Sequence, residues 1–266
     1  MTETTLPPMG PPPSKHKPDK VKVYKNIAGR GLTAHVFFSK GINISERIPG
    51  YLFFHPGGWA MGEPEWGYDL CYHISKLGVV AISFEYRLSS IGGDSPADAV
   101  SDAKSAIRWT REHSGELGID PGMILAGGIS AGGHLALCTA MIPGFDDPGD
   151  NMDSSAMPQA LALHTAPVNP AMDNHFITLL QGKTKPEDLS PFHHVKGGLP
   201  PMCMIQGTAD EIVPYDSIEV FSRRMQEAGN QCALYSFEGA GHFSIHETDQ
   251  ARAIRLIDEF ILSVIK

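Results

Sequence analysis

No stretch of this 266-residue chain approaches the ~20 consecutive apolar residues of a membrane span, so the sequence predicts no transmembrane helix. The first twenty residues lack the apolar centre of a secretory signal and are Pro-rich and polar instead, which predicts a cytoplasmic protein. Positive charge is in short supply. With 21 Lys and Arg against 30 Asp and Glu, the formal net charge is −9. Such a chain has no general attraction to nucleic acid or to anionic membranes, which leaves small molecules as the expected partners. Cysteine is scarce as well. Cys71, Cys138, Cys203 and Cys232 show no C-x-x-C spacing, and three fall in predicted helices or strands. They read as free core thiols, not as a disulfide frame or a redox pair. No H-E-x-x-H is present. His242 and His246 stand four residues apart, but no third ligand accompanies them, so neither a metal nor an organic cofactor is predicted.

What is present is a regular alternation. Hydrophobic residues make up 42% of the chain, ample for a large core, and no internal repeat divides it. The prolines at Pro7-Pro8 and Pro11-Pro12-Pro13 predict an extended arm over residues 1–20, followed by a single domain over 21–266. Val21–Lys25 and Leu32–Ser39 alternate as an antiparallel pair should. Tyr51–Phe54, Val79–Phe84, Met123–Ala126, Ala160–Thr165, Met202–Gln206 and Ala233–Phe237 read as further strands. Helices are predicted at Trp66–Leu77, from Asp94-Ser95-Pro96 to about His113, after His134, at Phe176–Gln181, at Tyr215–Ala228 and at Thr248–Ile265. Strand–helix alternation predicts an α/β fold with eight strands, mostly parallel, and helices on both faces. Insertions at about 142–158 and 168–200 break the rhythm; such insertions serve as pocket walls or as surface decoration.

The chemistry is concentrated at three strand ends. Gly128-Ile129-Ser130-Ala131-Gly132 lies between a strand and a helix, the context in which G-x-S-x-G forms a sharp turn presenting the serine hydroxyl. A serine hydroxyl needs a base, and the base needs an orienting acid. Asp210 follows the Met202–Gln206 strand, and His242 follows the last strand, so all three fall on the sheet edge where ligands bind in open α/β sheets. Glu211 and Asp216 are rivals to Asp210, but both adjoin a helix start. His134 reads as a structural residue of the elbow helix, and Arg87 as the partner of Asp98 or Asp102. His55-Pro56-Gly57-Gly58-Trp59 follows the Tyr51–Phe54 strand. The N–H groups of Gly57, Gly58 and Ala131 are the candidate donors to an oxyanion.

These pieces resemble the esterases of the α/β-hydrolase superfamily, nearest to the group that unites hormone-sensitive-lipase-like carboxylesterases with bacterial feruloyl and acetylxylan esterases. The resemblance is carried by His55–Trp59, Tyr86-Arg87-Leu88, Pro96–Asp102, Gly118–Pro121, Gly128–Gly133, Ser190-Pro191, Gly207–Asp210 and Gly241-His242, and spans about Val21 to the end. It implies a Ser130, Asp210, His242 triad with neither metal nor organic cofactor. The group usually carries glycine where Pro56 stands; proline has no N–H to donate, so the two later glycines must serve. The lipase-like helical cap at the N-terminus is missing, which favours the compact subgroup and an open site.

The expected substrate is a small ester, with Trp59, Trp66, Val168, Phe176, Ile212 and Val213 as pocket walls. Trp59, Trp66 and Tyr68 can equally pack beneath the oxyanion loop. Three readings stay open: a carboxylesterase for short acyl esters, including acylated sugars; a serine peptidase of prolyl-oligopeptidase-like lineage; and a non-catalytic binding protein on a hydrolase fold.

Overall fold

The computed structural model describes residues 10–41, 44–90, 92–243 and 249–266; Pro7-Pro8, His246 and the start of the last predicted helix at Thr248 lie outside them. Eight strands form one sheet: β1 (Lys20–Ile27), β2 (Arg30–Phe37), β3 (Ile48–Phe54), β4 (Val80–Phe84), β5 (Ile119–Ile129), β6 (Ala160–His164), β7 (Met202–Gly207) and β8 (Cys232–Phe237). Their spatial order is β1-β2-β4-β3-β5-β6-β7-β8. The first two pairings, β1 with β2 and β2 with β4, are antiparallel, and every later one is parallel. The chain has the α/β-hydrolase fold.

Seven α-helices surround the sheet among the described residues: α1 (Tyr68–Ser75), α2 (Pro96–Glu112), α3 (Ser114–Leu117), α4 (Ala131–Met141), α5 (Asn174–Leu180), α6 (Tyr215–Glu227) and α7 (Gln250–Val264). The period-2 geometry of the strands divides the core. Leu52, Phe54, Ile82, Phe84, Ile124 and Ala126 face α2, α4, α5 and α6. Tyr51, Phe53, Ala81 and Leu125 face the other way, toward α1 and α7. Strands buried on both faces carry continuous apolar runs, which is why β3 and β4 are legible in sequence.

Three elements depart from the sequence expectation. β5 starts four residues before Met123, because a register shift between Ile48 and Gly50 of β3 lets the strand pass through Pro121-Gly122, residues that read as a strand break. The helix expected at Trp66–Leu77 begins as a 3₁₀ turn at Pro64–Gly67 and becomes α-helical only at Tyr68. After α2, the extra turn α3 is closed by Gly118 in the left-handed conformation. The start of α2 matches its sequence signal: the Ser95 N–H donates to Asp98 Oδ2 at 2.8 Å, half of a capping box, with Pro96 at the first helical position.

Arg87 sits at the root of the loop after β4. Its guanidinium donates to both carboxylate oxygens of the fully buried Asp102, each at 2.8 Å, and to Asp98 at 3.1 Å. Lys25 on β1 reaches Asp102 and Asp147, also at 2.8 Å. The 142–158 insertion is clamped to α2, where Arg108 holds Asp146 and Asp150. All four cysteines are buried and unpaired.

Candidate active site

Ser130 occupies the turn between β5 and α4 with φ +51°, a backbone conformation that costs a non-glycine residue energy and persists only where the surroundings impose it. The surroundings do so from both sides. The Ser130 N–H donates to the His164 carbonyl on β6, and the Ser130 carbonyl accepts the first helical bond of α4 from the His134 N–H. The turn is also tight: a Cβ at Gly132 would run into the Phe54 carbonyl of β3. The hydroxyl so presented lies 2.9 Å from His242 Nε2, while His242 Nδ1 lies 2.8 Å from Asp210 Oδ2. Ser130, His242 and Asp210 follow β5, β8 and β7, and the fold brings the three together across more than 100 residues of sequence.

Asp210 is buried, which by itself raises its pKa. The hydrogen bond from His242 and those from the Val213 and Ile212 N–H groups outweigh burial and hold the carboxyl below the usual carboxylate range. It is thus an acceptor poised to fix the imidazole and to stabilise its positive form. Glu211 and Asp216 are exposed and make no contact with His242 among the described residues.

The loop after β3 turns through positive φ at Gly57, Gly58 and Trp59. A Cβ at Gly57 would collide with the Met61 carbonyl, so only glycine fits there. The Gly57 carbonyl accepts from the Ala60 and Met61 N–H groups, turning the loop back on itself. Among the described residues, the Gly57 and Gly58 N–H groups donate to no acceptor within the chain. Ala131, the first residue of α4, adds a third donor from the helix start. Burial pushes the pKa of His55 down to about 4, so its ring is neutral at ordinary pH. That ring stacks on Tyr86 and bonds the Pro56 carbonyl through Nδ1, while the Tyr86 hydroxyl donates to the His55 carbonyl.

A cleft of about 410 Å³ opens over Ser130. Gly58 and Trp59 form one wall, Val168 to His175 a second, and Ile212 to Pro214 a third. The 168–200 insertion therefore contributes to the site, whereas the 142–158 insertion does not. Of the residues expected as pocket walls, Trp59, Val168, Ile212 and Val213 line this cleft. Phe176 and Trp66 do not. Phe176 is fully buried, packed edge-on against Trp59 and His134, because α5 turns that face inward and leaves Asn174 and His175 to line the cleft. Trp66 sits beside His55 and against Gly10 of the arm, since the 3₁₀ turn carries the chain down to the α1 side of the sheet. Tyr68 is further still, packed on Phe37 and bonded to His35.

Two groups support the site, His134, which the sequence already gives a structural part, and Gln206, which it does not single out. His134 accepts from the Trp59 indole at 3.1 Å through Nδ1 and bonds the Leu189 carbonyl through Nε2, tying the glycine loop, the elbow helix and the 168–200 insertion together. Gln206 donates to Asp210 Oδ2. A glutamine inside an otherwise apolar strand, four residues before the acid, is the signal the sequence offers for it.

Comparison with known proteins locates this arrangement. The BD-FAE family model matches residues 42–225. The apo form of Thermogutta terrifontis esterase 2 superposes with a TM-score of 0.87 at 37% identity, covering 92% of this chain and 94% of that one. The same esterase has been solved with propionate bound, with butyrate bound, and phosphoramylated by tabun. Among curated proteins, the probable carboxylic ester hydrolase LipM of Mycobacterium tuberculosis is 28% identical over 70% of this chain. The probable isoprenylcysteine alpha-carbonyl methylesterase ICMEL1 of Arabidopsis thaliana is 26% identical over 77% of it. The chain spans about half the length of these two curated relatives, 47% of each.

Proposed function

The chain belongs to the BD-FAE family, and from that premise we propose that it is a serine carboxylesterase acting on short-chain acyl esters through an acyl-enzyme. The observation that carries the reading is the unbroken line from Ser130 Oγ to His242 to Asp210 at hydrogen-bond distances, beside two glycine N–H groups that have no acceptor among the described residues. Ser130 attacks the ester carbonyl as His242 Nε2 takes its proton. Asp210 holds the imidazole by Nδ1 and stabilises the imidazolium. The N–H groups of Gly57, Gly58 and Ala131 receive the developing oxyanion, each contributing about 3 kcal/mol of transition-state stabilisation. His242 returns the proton to the leaving alcohol. Water then repeats the sequence on the acyl-enzyme and releases the acid.

Short acyl chains suit this cleft. Each further methylene adds about 0.8 kcal/mol only where apolar surface receives it. Phe176 is buried behind the wall, and the residues before it interleave Val168, Pro170 and Met172 with Asn169, Asp173, Asn174 and His175, so apolar surface is interrupted by polar groups. The propionate- and butyrate-bound forms of the Thermogutta esterase point to the same range. The polar groups in that wall also suit an alcohol that bears hydroxyls, such as an acylated sugar.

The test is kcat/KM on soluble p-nitrophenyl esters of rising acyl length, beside an aminoacyl anilide and with Ser130→Ala as control. Rates should peak between acetyl and butyryl. Ser130→Ala should lose at least about three orders of magnitude with an unchanged circular-dichroism spectrum. A maximum at octanoyl or beyond refutes the short-chain reading. Faster anilide cleavage makes the chain a peptidase, and full activity in Ser130→Ala removes the proposed nucleophile.

A further inference from the structure

Gln206 lies outside the Ser130–His242–Asp210 line yet touches it. Its side chain is fully buried on β7, and Nε2 donates to Asp210 Oδ2 at 2.8 Å and to the Val213 carbonyl at 2.9 Å. Oδ2 is also the oxygen that faces His242 Nδ1 at 2.8 Å. Two N–H donors thus converge on one carboxylate oxygen, while Oδ1 takes the backbone N–H groups of Ile212 and Val213 at 2.9 and 2.8 Å. The amide orientation is fixed by these neighbours. Both are acceptors, so a flipped amide would set Oε1 against a carboxylate and a carbonyl. In this orientation Oε1 is buried with no hydrogen-bond partner among the described residues. An orphaned buried acceptor is a stability cost that an apolar side chain of the same shape would avoid, and it calls for a reason other than packing.

We propose that Gln206 is a positioning residue for the reaction: it fixes the Asp210 carboxylate toward His242 and takes a share of the charge on Oδ2, setting how strongly Asp210 supports the imidazolium. The inference rests on the proposed triad. A carboxylate that already accepts from Gln206, Ile212 and Val213 has less charge left for His242, and removing one donor strengthens what remains. The surroundings are simple. His242 faces Ser130, Asp210 and the edge of the Phe243 ring, and among the described residues no lysine or arginine pairs with either His242 or Asp210.

Gln206→Met keeps the length of the side chain and removes the donor. Its kcat is expected to fall about tenfold with little change in KM, because the carboxylate keeps its hydrogen bond to His242 but is no longer held in one orientation through turnover. The acid limb of its kcat/KM–pH profile is expected to move up by about half a pH unit, because the imidazolium is better stabilised. Gln206→Glu supplies the second readout, including for the case in which Gln206→Met does not fold. Beside the Asp210 carboxylate the introduced carboxyl stays protonated at neutral pH and still donates, so the acid limb should return toward wild type. At alkaline pH it ionises, two adjacent carboxylates form, and activity should fall where wild type is flat. A Gln206→Met enzyme with wild-type kcat and pH profile, or a Gln206→Glu enzyme without the alkaline fall, overturns the proposal. Asp210→Asn separates the two levels. If it retains wild-type kcat, the triad reading itself fails; if it is inactive while Gln206→Met is normal, only the role of Gln206 fails.

Discussion

Asp210 is the residue at which charge, burial and proposed chemistry meet. Its folded pKa is depressed, so its carboxylate contributes stability that is fully present above the unfolded value of about 3.9 and is lost as pH falls through the lower folded value. The melting temperature of wild type should therefore exceed that of Asp210→Asn most at about pH 5, with the gap narrowing steadily toward pH 2. A gap that stays constant over that range would show that the carboxyl is not held low. Turnover should follow the same residue. Asp210→Asn is expected to lose about four orders of magnitude in kcat, whereas Glu211→Gln, whose side chain is exposed, should be close to wild type. The assignment is reversed if Glu211→Gln carries the deep defect. Position in the chain distinguishes these neighbours in sequence, because Asp210 stands three residues past the end of a buried strand. The network that holds Asp210 low is not legible there: the Ile212 and Val213 N–H groups turn back on it only through the local loop geometry.

At the scale of elements, the elbow is where backbone strain is stored. Ser130 keeps its positive φ because β5 and α4 close tightly upon β3, and Gly132 makes that closure possible. Gly132→Ala puts a methyl group into the Phe54 carbonyl, so either the elbow opens or the Gly57–Gly58 loop after β3 shifts. Both outcomes should cost at least about 2 kcal/mol in urea unfolding and at least about tenfold in kcat. Normal stability together with normal kcat would mean that the close approach is not required. The strands are legible because continuous apolar runs and alternation are local signals. β5 shows the limit, since Pro121-Gly122 reads as a break and only pairing with β3 through a register shift reveals a strand. The pocket walls show a second limit. Phe176 is as apolar as Val168, but the facing of α5 sends it into the core, while Ile212, largely exposed, stays in the cleft.

Across the whole molecule, one ion network joins the first strand to the layer behind the site. Arg87 and Lys25 both neutralise Asp102, which is fully buried, and Lys25 continues to Asp147 in the 142–158 insertion. Removing one partner of a buried pair leaves a charge without compensation. Arg87→Met should lower unfolding stability by about 3 kcal/mol, toward the lower end of such losses because Lys25 remains, while the KM for a short ester stays near wild type. A strongly raised KM with unchanged stability would instead place Arg87 in substrate binding. By itself, the sequence determined the alternation of strands and helices, the serine between β5 and α4, the strand ends on which Asp210 and His242 fall, and the glycines after β3. All of these are written in local periodicity, turn chemistry and chain order. Only the tertiary structure decided the hydrogen-bond line through Ser130, His242 and Asp210, the burial of Gln206 beside it, the withdrawal of Trp66 and Phe176 from the cleft, and the clamping of the 142–158 insertion to α2. These depend on which face of each element meets its neighbour across the sheet. Helix facing and strand register are set by the packing of the whole core, and no local stretch of sequence carries that information.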